Sequence, residues 1–135
     1  MGPGRDEAMR ATRTARPVHL DLRRIAQPVG AWTSILHRIS GVGLIAGTPV
    51  LAWMLARSLA SPEGYARVTG LLQAWPLRLA ALLWIWMLAH HLLAGVRHLL
   101  SDVDIGSRLA PARRSAWVVN LAAVAIALLA AGVLA

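Results

Sequence analysis

The stretch Leu79–Asp102, LAALLWIWMLAHHLLAGVRHLLSD, decides the fold. Eleven residues, Leu79 to Ala89, pass without a charge before His90 and His91, so the paired histidines lie inside an apolar run that Arg97, His98, Ser101 and Asp102 bring to a close. A neutral imidazole offers one donor and one acceptor, and lipid satisfies neither. At membrane depth such a residue answers to a buried hydrogen bond, a metal, or a path for protons or electrons.

Two further runs resemble this one. Between Arg38 and Arg57 lie 18 uncharged residues, Leu79 to Val96 supplies another 18, and Ser115 to Ala135 supplies 21. At about 1.5 Å of rise per residue, each run approaches the roughly 20 residues that cross a hydrocarbon core about 30 Å thick. With 57% hydrophobic and 15% charged residues in 135, the chain is too short to hide three such helices from water in a soluble core. The expected fold is an all-α integral membrane protein with spans over about 28–58, 76–100 and 115–135, forming an anchor domain over 28–135 behind a basic cytoplasmic segment, 1–27.

All fourteen basic side chains are arginine. Six precede the first span, only Arg57 and Arg67 fall in the first connection, and Arg108, Arg113 and Arg114 fall in the second. The positive-inside rule therefore places the N-terminus and the second connection in the cytoplasm, and the first connection and C-terminus outside. The charge is not gathered on one face with interleaved aromatics, which argues against nucleic acid as a partner. The polar N-terminal region and the run Ile39–Ala56 are both too long for a signal peptide, so 1–27 reads as a retained tail. Without cysteine there are no disulfides, no thiolate-ligated clusters and no Cys nucleophile.

Met1 to Ala15 has no periodicity, and Arg16–Leu22 reads as an extended approach along the membrane surface. Ser34, His37, Arg38 and Gly41 fall in the first turns of helix one, with Ser34 and Arg38 spaced i,i+4 toward one region at the cytoplasmic boundary. Gly41, Gly43 and Gly47 permit close approach of another helix or of something bulky. Ala60–Tyr65 reads as a turn and Ala66–Trp75 as a short interfacial helix. Trp84 and Trp86 lie too deep for belt residues and face protein, cofactor or lipid tails. Asn120 is the strongly polar interior group of helix three.

His91 and His98 are two turns apart on one helical face, with Gly95 between them. A flat cofactor held edge-on suits this layout, and haem iron fits because imidazole is its common axial ligand. His37 or Arg38 would then meet propionates. The residues leave three readings of His91 open: haem ligation, a satisfied packing histidine, and other metal or proton chemistry. His90, offset by about 100°, reads as a contact to another helix.

These motifs also carry a resemblance. Arg16-Pro-Val-His-Leu-Asp-Leu22, Ser34-Ile-Leu-His-Arg-Ile-Ser-Gly41, Ser61-Pro-Glu-Gly64, and His91 followed by Gly95-Val-Arg-His-Leu-Leu-Ser-Asp102 are similar to the cytochrome b membrane-anchor subunit of bacterial succinate dehydrogenase, complex II. The resemblance implies a multi-pass chain of the bacterial inner membrane that is not catalytic alone. It implies haem b shared with a second small anchor subunit that bears another haem ligand, ubiquinone as substrate, and docking of an iron–sulfur subunit and an FAD-containing flavoprotein. Residue by residue, His91 resembles the axial haem ligand, Ser34 and Arg38 the quinone-binding pair, and His37, Arg38 and His98 the haem propionate or periphery contacts. The alternatives are a haem-free structural anchor, or the anchor of a quinol:fumarate reductase.

The arginine bias generates a topology test. Reporter fusions after Pro62 and after Ala135 are expected to report outside, and one after Ile105 inside; an outside signal at Ile105 would invert the assignment.

Overall fold

The computed structural model describes residues 27–134, so the readings placed on Met1–Ala15, on Arg16–Leu22 and on the basic N-terminal segment lie outside the described residues, apart from Gln27. Four helices follow in order: α1 (Val29–Ala60), α2 (Pro62–Gln73), α3 (Trp75–Asp102) and α4 (Leu109–Leu134). Three of them, α1, α3 and α4, are long and apolar enough to cross a membrane. The chain is all-α among the described residues. In lipid the backbone must satisfy its own polar groups, and an uninterrupted helix is the way a single segment does so.

Helix boundaries follow capping and turn chemistry, whereas uncharged runs mark only the lipid-embedded part. Helix α4 starts at Leu109, six residues before Ser115, with Arg113 and Arg114 exposed on its early turns. A helix continues through the headgroup layer, where arginine is at home. The turn expected over Ala60–Tyr65 is instead a helix start. Ser61 is the N-cap of α2, accepting from the Gly64 N–H at 3.0 Å, and Pro62 occupies a position where a missing N–H costs nothing. Glu63, in that first turn, has its carboxyl held below the ordinary range by its own backbone N–H and then by the Ser61 hydroxyl. Between α3 and α4 the chain turns through Asp104 (φ 60°) and Gly106 (φ 74°), both in the left-handed region that Asp tolerates and Gly adopts freely.

The helices meet through small and polar residues. Helix α3 is central, packing on both α4 and α1. The core consists of Ala94, Ala116, Val119 and Ala123 together with Thr33, Ser40 and His90, and the three polar side chains are the largest fully buried ones. Alanine at a helix contact lets backbones approach, the usual device where lipid removes the hydrophobic drive for association. Gly47 serves the same end: a Cβ there would sit 2.6 Å from the Trp84 indole nitrogen, so Trp84 faces protein. Met87 lies likewise against Gly43. Trp86 flanks His90, ring centroids 5.4 Å apart. The outward faces stay apolar, with Ile39, Val42 and Ile45 of α1 and Leu128 and Leu129 of α4 all exposed.

One polar bridge ties all three spans. His90 Nε2 lies 3.1 Å from Asn120 Oδ1, and the Thr33 hydroxyl donates to the same oxygen at 3.3 Å, sharing its proton with the Val29 carbonyl at 3.0 Å. Asn120→Leu removes the shared acceptor and strands His90 Nε2–H in an apolar interior. Interhelical hydrogen bonds in membranes contribute on the order of 1 kcal/mol. The expected result is a lower midpoint in thermal denaturation of the assembled protein, and an unchanged midpoint would show the bridge to be idle.

Candidate functional site

At the end of the bundle where α1 begins and α3 ends, two helices exchange a histidine for a glycine. His37 and Gly41 stand one turn apart on α1; His91 and Gly95 stand one turn apart on α3. Because neighbouring spans run antiparallel, each ring meets the other helix's glycine. A Cβ on Gly41 would lie 3.0 Å from His91 Cε1, and one on Gly95 would lie 3.5 Å from His37 Nε2. The two rings stack with centroids 4.2 Å apart and 19° between planes, and His98 tilts against His37 at 5.2 Å. The open side of Gly95, which the sequence reading reserves for a cofactor plane, therefore receives the His37 ring.

The hydrogen bonds fix the state of the His91 ring. Its Nδ1 is 3.1 Å from the His37 carbonyl oxygen and 3.3 Å from the Ser40 hydroxyl oxygen. A carbonyl only accepts, so the proton sits on Nδ1. Ser40, fully buried, gives its own proton to the same His37 carbonyl at 2.9 Å and presents a lone pair to His91. Nε2 therefore carries the free lone pair of a half-buried ring, with no hydrogen-bond partner among the described residues. A ligating histidine is oriented in this way when its second nitrogen donates to a carbonyl.

His90 is arranged in the opposite sense. Asn120 Oδ1 accepts, which puts the His90 proton on Nε2, and Nδ1 is buried without a partner among the described residues. One nitrogen is committed and the other enclosed. The adjacent histidines thus divide into a structural His90, as the sequence reading has it, and a His91 whose outer nitrogen is available.

Of the remaining candidates, Ser34 is half-buried and Arg38 exposed, one turn apart on α1 and offset by about 100° from Thr33 and His37, which face the core. Arg97 is engaged within the bundle: Nε donates to Ser115 Oγ at 3.1 Å, Nη2 donates to the Ala112 carbonyl at 3.3 Å, and Nη2 lies 3.6 Å from where a Cβ on Gly30 would be. It clasps α3 to the first turns of α4 beside the start of α1. Sequence reasoning missed Ser40 and the stacking of His37 on His91. The signal was present: His37-Arg-Ile-Ser-Gly41 and His91-Leu-Leu-Ala-Gly95 repeat one His-x-x-x-Gly spacing on two helices.

No group of three His, Cys, Asp or Glu that would hold a metal ion occurs among the described residues. Stacked rings present their faces to one another, so their lone pairs do not converge. What the arrangement offers is a single oriented imidazole nitrogen on a ring flanked by a second imidazole and a hydroxyl. Such a nitrogen suits a cofactor that brings most of its own ligands.

A family profile described as succinate dehydrogenase/fumarate reductase transmembrane subunit matches residues 12–130. The succinate dehydrogenase cytochrome b556 subunit of Paracoccus denitrificans is 33% identical over 114 residues, covering 84% of this chain and 88% of that protein. The protein of the same description from Coxiella burnetii is 37% identical over 120 residues, covering 87% and 94%. That from Rickettsia bellii is 26% identical over 114 residues, covering 84% and 89%.

Proposed function

The chain belongs to the succinate dehydrogenase/fumarate reductase transmembrane subunit family, and from that premise we propose that it is the membrane-anchor cytochrome b subunit of a succinate:quinone oxidoreductase. It has no succinate-oxidising chemistry of its own. Its work is to hold an iron–sulfur subunit and a flavoprotein at the inner membrane, and to help bind haem b and ubiquinone together with a second anchor chain. The observation that carries this reading is the His91 ring, with Nδ1–H held by the His37 carbonyl and Nε2 left to ligate.

The residues fit haem b. His91 Nε2 would ligate it together with a residue of the second anchor subunit, and His37, Arg38 and His98 would hold its propionates or periphery. When bound, haem b would supply a one-electron store. The chain's part is to fix one imidazole's tautomer and plane through the His37 carbonyl and the Ser40 hydroxyl, and to keep His90 out of competition through Asn120. A Cβ at Gly41 would press on the ring where it meets α1.

For the quinone, Ser34 and Arg38 supply a hydroxyl and a guanidinium one turn apart near the start of α1. A donor and a cation aimed at a quinone oxygen hold it and stabilise negative charge as the quinone is reduced. Arg38 is exposed and therefore reaches outward, toward a surface that the soluble partners would cover. The arginine bias favours a cytoplasmic position for that surface, with the C-terminus outside.

Two measurements test these assignments. In the assembled complex, His91→Leu is expected to abolish the low-spin bis-histidine spectrum or convert it to a high-spin one, while His90→Leu leaves the ligand field nearly intact even where assembly weakens. A low-spin signal kept without His91 and lost without His90 would reverse the choice. For the quinone pair, Arg38→Leu is expected to impair quinone reduction more than Ser34→Ala. A hydrogen bond to a charged group contributes roughly 1.5–3 kcal/mol, or about one to two powers of ten in binding. Succinate oxidation with a soluble acceptor should persist, and unchanged quinone kinetics in both intact variants would remove these residues from the site.

A further inference from the structure

The far end of the first span holds a second polar site that the histidines do not touch. Trp53, Arg57 and Ala60 recur at i, i+4 and i+7 on α1, and Glu63, Arg67 and Leu71 at i, i+4 and i+8 on α2. The two stripes face each other across a cleft of about 530 Å³. Its wall includes Val68, which is 9% exposed. The corner is tightly built: Gly64 presses so closely on the Arg57 carbonyl that a Cβ could not be accommodated, and Ser61 caps α2 beside it. The Arg57 guanidinium lies over the Trp53 ring, 5.8 Å from its centroid.

Position and charge together identify the occupant. Arg57 is twenty residues beyond His37 on one continuous helix, about 30 Å along its axis and thus about the thickness of the hydrocarbon core. With the histidine stack near one boundary, this cleft falls in the opposite headgroup layer. Two guanidinium groups and the Glu63 carboxylate line it, leaving one net positive charge. Guanidinium forks match phosphate oxygens, and tryptophan belongs at the headgroup level. A free phosphate would leave Trp53 and Leu71 facing water. A lipid covers them with its acyl chain.

We infer that this cleft binds one anionic phospholipid, its phosphodiester between Arg57 and Arg67 and its acyl chain against Trp53 and Leu71. The single negative charge of such a headgroup balances the cleft. The ammonium of a zwitterionic headgroup would add a cation beside two others.

The test uses the whole complex extracted from membranes. After delipidation in detergent, it is titrated with phosphatidylglycerol, with phosphatidylcholine and with inorganic phosphate, and bound lipid is counted by native mass spectrometry. One phosphatidylglycerol per chain is expected, held at least about tenfold more tightly than phosphatidylcholine and not displaced by millimolar phosphate. Arg57→Gln and Arg67→Gln should each weaken retention about tenfold, while Arg78→Gln, which lies outside the cleft and bonds Gln73, should not. Retention unchanged in the Arg57→Gln/Arg67→Gln double variant, equal binding of phosphatidylcholine, or displacement by phosphate would overturn the site. Should the arginine variants not assemble, a photo-crosslinking residue at Leu71 in the otherwise unmodified chain decides between the outcomes: capture of lipid supports the site, and capture of a partner chain overturns it.

Discussion

The structure depends on one hydrogen bond, from His91 Nδ1–H to the His37 carbonyl. A mid-helix carbonyl is already engaged along its own helix, so a ring from a neighbouring helix reaches it only where the backbones come unusually close. Gly41 provides that approach on one side and Gly95 on the other, and the buried Ser40 hydroxyl fills the remaining gap with a compatible polar atom. Each element constrains the rest: a side chain at Gly41 would press on the ring, and a ring with its proton on Nε2 would set lone pair against lone pair. The outcome is a histidine with a single tautomer and one outward nitrogen, which is what a ligand to an electron-transfer cofactor requires.

The two adjacent histidines show how helical geometry separates roles that sequence places side by side. About 100° of rotation takes His90 toward α4, where Asn120 and Thr33 complete a bridge across three spans, and leaves His91 facing α1. An imidazole in lipid without a partner is costly, and the membrane enforces this sorting more strictly than water would. His90 meets the demand by hydrogen-bonding inside the chain. His91 too is satisfied at one nitrogen; the second nitrogen of His90 is enclosed by the bundle, whereas that of His91 is free to ligate.

The fold was legible because span-length uncharged runs admit few alternatives. Helix ends were less so: counting charges marks where lipid begins, whereas Ser61, Pro62, Asp104 and Gly106 mark where helices start and stop. A Ser-Pro pair is ambiguous by itself, since the chemistry that suits a turn at Ala60–Tyr65 equally makes an N-cap and a first helical position, and only the helix that follows decides. At the site, His91, His37 and His98 could be named from spacing within their own helices and from the family motif. Ser40 could not, since its importance arises only when α1 and α3 are docked. Gly95 shows the same limit: its open face was visible in the sequence, and what fills it was not.

The distribution of polarity also fits the proposed assembly with other chains. In a soluble protein the buried core is apolar and the surface polar; here the largest fully buried side chains are His90, Thr33 and Ser40, while α1 exposes Ile39, Val42 and Ile45. Small residues and hydrogen bonds hold the three spans together, and neither extends to the outer faces. Helix α1 is the least enclosed, with only 6% of its most apolar stretch buried against the rest of the chain. Yet α1 carries His37, Ser34, Arg38 and Ser40, most of the candidate site. The helix richest in candidate residues is thus the one this chain covers least, which leaves its outer face to lipid and to the partner chains of the proposed complex.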